Sequence, residues 1–261
     1  MPEGVEVRII TNDLRSVIQH KELTEINILG GKYIKKNIQG CPDKFPITVK
    51  DVKCKGKFIY FVFSNGSYLF NTLGLSGYWT TKSDIKHNNV EFKFGKMSVF
   101  FNDMRNFGTL KFVDKKIELD KKLKELGNDM FEESTTFEIF KNVIMKKKKQ
   151  NITKVLMNQK IISGIGNYIK SESLYRSEIS PHRSIENLTV GELQSLYDEI
   201  KNVIKESYAQ KGVKNYTESG DGTYNNSFKV YGQKKDPNGN LVKRFTSLDG
   251  RTTHWVESVQ K

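Results

Sequence analysis

The first three residues, Met1-Pro2-Glu3, bring together groups that can do covalent chemistry. A small second residue favours removal of the initiator methionine, which would leave Pro2 with a free secondary amine. An α-amino group has a reference pKa of about 7.7–8.0 against about 10.4 for lysine, so near neutral pH far more of it is an uncharged nucleophile. The positive end of a helix beginning just after it lowers that value further. Glu3 supplies a carboxyl able to carry protons while a neighbouring amine attacks carbon. The same two residues are also ordinary helix starters, proline for its fixed φ and glutamate for the helix dipole. Taken alone, the pair leaves both readings open.

The elements that must position these groups can be read from periodicity. Between Val5 and His20, the residues Val7, Ile10, Leu14, Val17 and Ile18 fall on one helical face, which predicts an amphipathic helix close to the N-terminus. From Leu23 to about Asp114 the pattern changes to short alternating or aromatic runs such as ITVKDVK, KFIYFVF, SYLFN, VEFKF and SVFFND, with Asn65-Gly66 and Gly95-Lys96 as hairpin signals. The expected class is therefore α+β, with a helix and an antiparallel β-sandwich over residues 1–114. The charged stretch 115–134 has weak strand character and is read as an inter-domain connection.

Thr135 and Glu138 have capping-box spacing ahead of Phe137, Phe140 and Ile144, which opens a helical domain over residues 135–225. Within it, Ile152 to Gln159 is a short helix, SGIGN a glycine-containing turn, and Tyr168 to Arg176 a further helix. The next helix has the clearest signature: a Thr189/Glu192 capping box, a Leu188/Leu193 staple, and a stripe of Val190, Leu193, Leu196, Tyr197, Ile200 and Ile204. A polar loop, VKNYTESGDGTYNNS, precedes residues 226–261, where two β runs flank an Asp249-Gly250 turn. Lys146 to Lys149 reads as a solvated helix end, and no internal repeat is evident.

Composition narrows the partners. Lys+Arg number 43 against 30 Asp+Glu, giving a net charge of +13, and only 36% of residues are hydrophobic. No apolar run approaches the roughly 20 residues of a membrane span. An excess of cations favours polyanions, because each phosphate neutralised releases a condensed counterion, so nucleic acid is the leading partner class; a merely biased composition is the alternative. Cys41 and Cys54 are too few for a disulfide framework, and the start lacks a signal-peptide pattern, so an intracellular protein is expected. His20, His87, His182 and His254 are scattered, and no structural zinc or other cofactor is expected.

Longer motifs then decide what these groups are for. MPEGVEVR resembles the start of the formamidopyrimidine-DNA glycosylase and endonuclease VIII family. The tract ITKVLMNQKIISGIGNYIKSESLYRSEISPHR is similar to that family's helix–two-turn–helix segment almost throughout. KGKFIYF, TLGLSGYW and DMRNFGTL resemble its lysine-bearing strand turn and its two DNA-wedge loops, and GRTTHWVESVQ its last element. The resemblance runs over the whole chain in the family's order.

That resemblance implies a bifunctional DNA glycosylase/AP lyase of base excision repair. Pro2 would attack C1′ of a damaged nucleotide and form a Schiff base that permits β- and δ-elimination, and Glu3 would be the acid/base. Glu6 would be a supporting carboxylate, or simply a glutamate favoured by the helix dipole. Lys57 would contact phosphate beside the lesion and help to keep the Pro2 amine neutral. Gly164 and Gly166 let the backbone approach DNA, Asn167 can donate to phosphate, and Arg251 can fork two hydrogen bonds onto one. Leu75, Arg105 and Phe107 would fill and wedge the hole left by the flipped nucleotide. The implied partner is double-stranded DNA carrying oxidised bases or abasic sites, bound by a monomer in whichever compartment, nuclear, cytoplasmic or viral, holds the target genome.

The sequence departs from the family at its C-terminus. Much of the family carries a four-cysteine zinc finger, whereas here no cysteine follows Cys54 and Val256 and Val259 stand where the last CxxC pair would be. This resembles the zincless finger of some endonuclease VIII-like members, including viral ones. With the PEGVEVR start it leads to an expected preference for oxidised pyrimidines and hydantoins. An 8-oxoguanine/formamidopyrimidine-preferring enzyme is the alternative, and a non-catalytic nucleic-acid-binding protein the remote one.

Overall fold

The computed structural model describes residues 2–211 and 228–261. They form two compact units: Pro2, residues 6–125 and Lys211 belong to the first, and Glu3–Val5, Leu126–Gln210 and residues 228–261 to the second. The polar loop expected at 213–227 lies outside the described residues.

In the first unit, helix α1 (Gly4–Ile18) buries Val7, Ile10, Leu14 and Ile18, four of the five positions its periodicity marks out. That face meets one core shared by two antiparallel sheets. The five-stranded sheet runs in the order β1 (Glu22–Leu23), β3 (Ile47–Lys55), β4 (Phe58–Phe63), β5 (Tyr68–Thr72), β9 (Thr109–Val113). The four-stranded sheet is ordered β2 (Glu25–Ile28), β7 (Asn88–Phe94), β8 (Met97–Asn102), β6 (Tyr78–Thr80). Phe61, Phe63 and Leu69 of one sheet and Trp79, Phe92, Val99 and Phe101 of the other bury into that core, giving the expected sandwich. Gly95-Lys96 is a two-residue hairpin between Phe94 and Met97, as the sequence signals.

The stretch expected to be a connection with weak strand character departs from that reading. Lys116–Glu125 is a helix, α2, within the first unit, and the chain enters the second through β10 (Asn128–Asp129), which pairs in parallel with β11 (Ile162–Ser163). Leu119 is the only buried residue of α2, so almost no apolar periodicity marks it.

The second unit is helical. Its elements are α3 (Phe137–Met145), α4 (Ile152–Met157), α5 (Asn167–Arg176) and α6 (Val190–Ala209), followed by the strands β12 (Lys243–Thr246) and β13 (Thr252–Trp255). The α6 capping box forms as read, with the Thr189 hydroxyl accepting from the Glu192 N–H and the Glu192 carboxylate accepting from the Thr189 N–H. Val190 leaves the apolar stripe, however, and is 61% exposed. Thr136, not Thr135, caps α3; the Thr135 hydroxyl instead donates to the Asp129 carbonyl. Helix α5 has little amphipathic pattern yet is buried from Tyr168 to Tyr175. Lys170, Ser171, Glu172 and Ser173 are all 0% exposed, and polar groups so placed require partners.

Residues Tyr175, Val230, Val242 and Val256 form a separate small core, with Val259 packed against it. Above it, the Asp236 carboxylate accepts from the Asn238 N–H (3.0 Å), the Asn240 N–H (2.7 Å), the Asn240 side-chain amide (2.9 Å) and the Tyr175 hydroxyl (3.0 Å). Apolar packing and one carboxylate hub thus hold the segment that thiolates hold in a zinc finger. These valines offer a zinc ion no donor, and among the described residues no group of three or more His, Cys, Asp or Glu could hold a metal. Among those residues, too, no helix is long and apolar enough to cross a membrane.

Candidate active site

Helix α5 organises the site in the second unit. Its first N–H groups have no partner within the helix and carry the positive end of the dipole. The Glu3 carboxylate, 2% exposed, occupies that position, with Oε1 accepting from the Tyr168 N–H at 2.8 Å and Oε2 from the Ile169 N–H at 3.2 Å. Both oxygens are therefore fixed by main chain 165 and 166 residues away. The Gly4 N–H donates to the Gly164 carbonyl at 2.8 Å, which holds the N-terminal segment against the SGIGN turn. A Cβ on Gly166 would lie 2.2 Å from the Glu3 carboxyl carbon. At a φ of −128°, which any residue adopts, glycine is needed here for space rather than for conformation.

The same helix end grips the C-terminal hairpin. Asn167 donates its side-chain amide to the Thr252 carbonyl at 2.8 Å, and the Lys170 ammonium meets the Asp249 carboxylate at 2.5 Å. The Ser171 hydroxyl accepts from the His254 N–H at 3.5 Å. Arg251 is exposed on the turn between β12 and β13. Glu3, Asn167 and the Arg251 turn, far apart in sequence, therefore converge on the first turns of α5.

The remaining expected residues belong to the first unit. Pro2 is buried, and Glu6 is fully buried in the first turn of α1. Lys57 is half-buried at the second position of the β3–β4 turn, where Gly56 takes a φ of 56° as a tight two-residue hairpin demands. Leu75 is half-buried, while Arg105 and Phe107 are exposed, with the guanidinium 5.5 Å from the ring centroid. The loops carrying them are bonded to each other: the Asp103 carboxylate accepts from the Ser76 hydroxyl (2.7 Å) and the Gly108 N–H (2.6 Å), and the Ser76 hydroxyl accepts from the Arg105 N–H (3.0 Å). Phe107 is 57% exposed and Met104 58%, so this is an apolar tip held out on a rigid base. A cleft in the same unit is lined by Lys32, Lys36, Lys111, Lys121 and Lys122, by Glu118 and Glu125, and by Phe58 and Phe70, a surface whose lysines no motif had singled out.

Comparison with known proteins matches three models along the chain: the formamidopyrimidine-DNA glycosylase N-terminal domain at residues 1–110, the H2TH domain at 126–218 and the C-terminal domain at 223–261. The formamidopyrimidine-DNA glycosylase of Wolbachia from Brugia malayi is 33% identical over the whole of both chains. The chain belongs to the formamidopyrimidine-DNA glycosylase family. The enzyme of the same name from Mycoplasma genitalium is 30% identical over all of this chain and 96% of its own. Among solved structures, the MutM (Fpg) protein of Thermus thermophilus superposes with a TM-score of 0.85 at 23% identity, covering 99% of this chain and 98% of its own. Lactococcus lactis Fpg bound to DNA containing an abasic site gives 0.83 at 22% over both whole chains, so the family fold is kept at low identity.

Within this family member, two features of the α5–hairpin contact escape sequence reading. The Glu172 carboxylate, 0% exposed, accepts from the N–H groups of Lys229, Val230 and Tyr231 at 2.7–2.9 Å and so anchors the segment leading into the hairpin. His254 is 8% exposed, its Nδ1 has no partner, and burial followed by the charges of Arg244 and Lys170 lowers its pKa to about 4. The folded state resists protonating it, so its stabilising contribution is present above the unfolded value near 6.5 and is lost as pH falls from there towards 4. Each pH unit in that window removes up to about 1.4 kcal/mol. His254→Phe, which keeps the ring packed 5.0 Å from Tyr231, should flatten the fall in thermal stability between pH 6.5 and 4. An unchanged slope would contradict the buried neutral imidazole.

Proposed function

We propose that this protein is a bifunctional DNA glycosylase/AP lyase that removes oxidised bases from double-stranded DNA. The observation that carries the reading is the Glu3 carboxylate, buried and held on two main-chain N–H groups at the α5 N-terminus, directly beside Pro2 in the chain. An acid/base held this firmly, next to a secondary amine freed by loss of Met1, is suited to covalent catalysis.

In this mechanism the Pro2 nitrogen attacks C1′, the glycosidic bond breaks, and the base leaves with the bonding pair and with the proton lost from the amine. Glu3, having first taken up a proton from water, delivers it to the ring oxygen as the O4′–C1′ bond opens, which leaves an iminium between Pro2 and the sugar and returns Glu3 to the carboxylate. The Glu3 carboxylate then takes a C2′ proton as the 3′ phosphate leaves, and a second elimination expels the 5′ phosphate. Glu6 supports the N-terminal helix turn beside the amine. Lys57, Asn167 and Arg251 bind backbone phosphates around the extruded nucleotide. Leu75, Arg105 and Phe107 occupy the space it vacates, an assignment supported by the exposed tip and its bonded base.

The PEGVEVR start and the finger without cysteines favour oxidised pyrimidines and hydantoins. The relatives, as formamidopyrimidine-DNA glycosylases, favour the second reading. Single-turnover excision of thymine glycol, a hydantoin and 8-oxoguanine from the same duplex tests the order. Thymine glycol or the hydantoin leaving fastest is the expected result, and fastest removal of 8-oxoguanine would establish the second reading. No excision of any of them, with tight binding retained, would leave a DNA-binding protein only.

A further inference from the structure

We infer that the buried Lys170–Asp249 ion pair is the device that positions Arg251, so that Lys170 governs phosphate binding without touching DNA. The inference rests on Arg251 being a phosphate ligand, as proposed above. The Lys170 and Asp249 side chains are 0% and 2% exposed. Removing two charges from water is costly, and an apolar pair of similar volume usually serves stability as well or better. Lys170 also sits one turn into α5, where the dipole disfavours a cation. Burial lowers its pKa, while Asp249 and Glu3 draw it back up. Stability alone gives little reason for a lysine at this place.

The geometry supplies a reason. Asp249 uses one carboxylate oxygen for Lys170 and the other for the Arg251 N–H, at 3.1 Å, and for the Ser247 hydroxyl. Ser247 in turn donates its N–H to the Arg251 carbonyl at 3.0 Å. Both backbone polar groups of Arg251 are thus fixed by a network whose anchor in the helix is Lys170, while the guanidinium stays exposed. The Thr252 carbonyl, one residue on, is held by Asn167 of the same helix end. Because Glu3 lies on the next N–H groups of α5, one rigid turn sets the placement of both the carboxylate and the arginine. Small errors in such placement are expensive in binding and catalysis.

The test uses a duplex carrying a tetrahydrofuran abasic analogue, with affinity measured across salt concentrations and thermal melting run in parallel. Arg251→Ala should lose about tenfold in affinity and lower the salt slope by about 0.9, one phosphate's worth. Lys170→Met/Asp249→Leu replaces the pair by apolar side chains and should melt near the wild type. It should nevertheless bind as weakly as Arg251→Ala, with the same reduced slope, and adding Arg251→Ala should cost nothing more. Asp249→Asn, which keeps the side-chain shape, should give a smaller loss that also disappears in the Arg251→Ala background. Wild-type affinity in Arg251→Ala would remove the phosphate ligand and with it this inference. A weak Arg251→Ala beside a pair variant that binds fully, or losses that add, would overturn the positioning role alone.

Discussion

Glu3→Gln is expected to lower single-turnover base excision by about 10²–10⁴-fold, the range that a positioned acid/base contributes. Glutamine keeps the shape and one of the two acceptors for the Tyr168 and Ile169 N–H groups, but its amide has no carboxyl proton to give. Affinity for the abasic-analogue duplex should therefore stay within a few-fold of the wild type. Excision retained at more than a tenth of the wild-type rate would mean that the buried carboxylate is only a helix cap.

The second large effect comes from a residue with no side chain to do chemistry. In Gly166→Ala the new Cβ would lie 2.2 Å from the Glu3 carboxyl carbon and 2.5 Å from both its Cγ and Oε1, so the carboxylate must leave the two N–H groups that hold it. Displacement by about 1 Å can cost about 10²-fold in rate, and excision should fall by at least that much. Gly191→Ala in α6 is the control, because its added Cβ would meet nothing nearer than the Thr189 hydroxyl at 3.9 Å, and activity there should be unchanged. Equal losses in the two variants would contradict a specific steric demand at Gly166.

How far such features could be foreseen depends on their range along the chain. The Thr189–Glu192 capping box, the α1 stripe and the Gly95-Lys96 hairpin are written in residues within a few positions of each other, and all three form as read. The fold class followed from such local patterns. Helix α2 did not, because Lys116–Glu125 buries one leucine and its charges mask the helical period. Thr135 and Thr136 show the limit of spacing rules: the cap falls on the residue after the one read, and the Thr135 hydroxyl is spent on Asp129 instead.

The site was legible as a set of residues but not as a geometry. Pro2, Glu3, Asn167 and Arg251 could be named from motifs, yet nothing local says that Glu3 binds main chain at Tyr168 and Ile169. Lys170 reads in sequence as one more lysine in a basic chain, and Asp249 as a turn residue. Their pairing across 79 positions is a tertiary fact, as is the grip of Glu172 on residues 229–231. The available signal was the polar run Lys170-Ser171-Glu172-Ser173 in a helix with no apolar face, since buried polar side chains must find partners.

The central claim, that Pro2 is the nucleophile, is tested most directly by borohydride trapping. Reduction during turnover on a lesion-bearing duplex should yield a covalent protein–DNA adduct, and peptide mapping should place it on the N-terminal amine of Pro2 after loss of Met1. Trapping at a lysine, or a Pro2→Gly variant that retains full excision with its adduct elsewhere, would contradict the account.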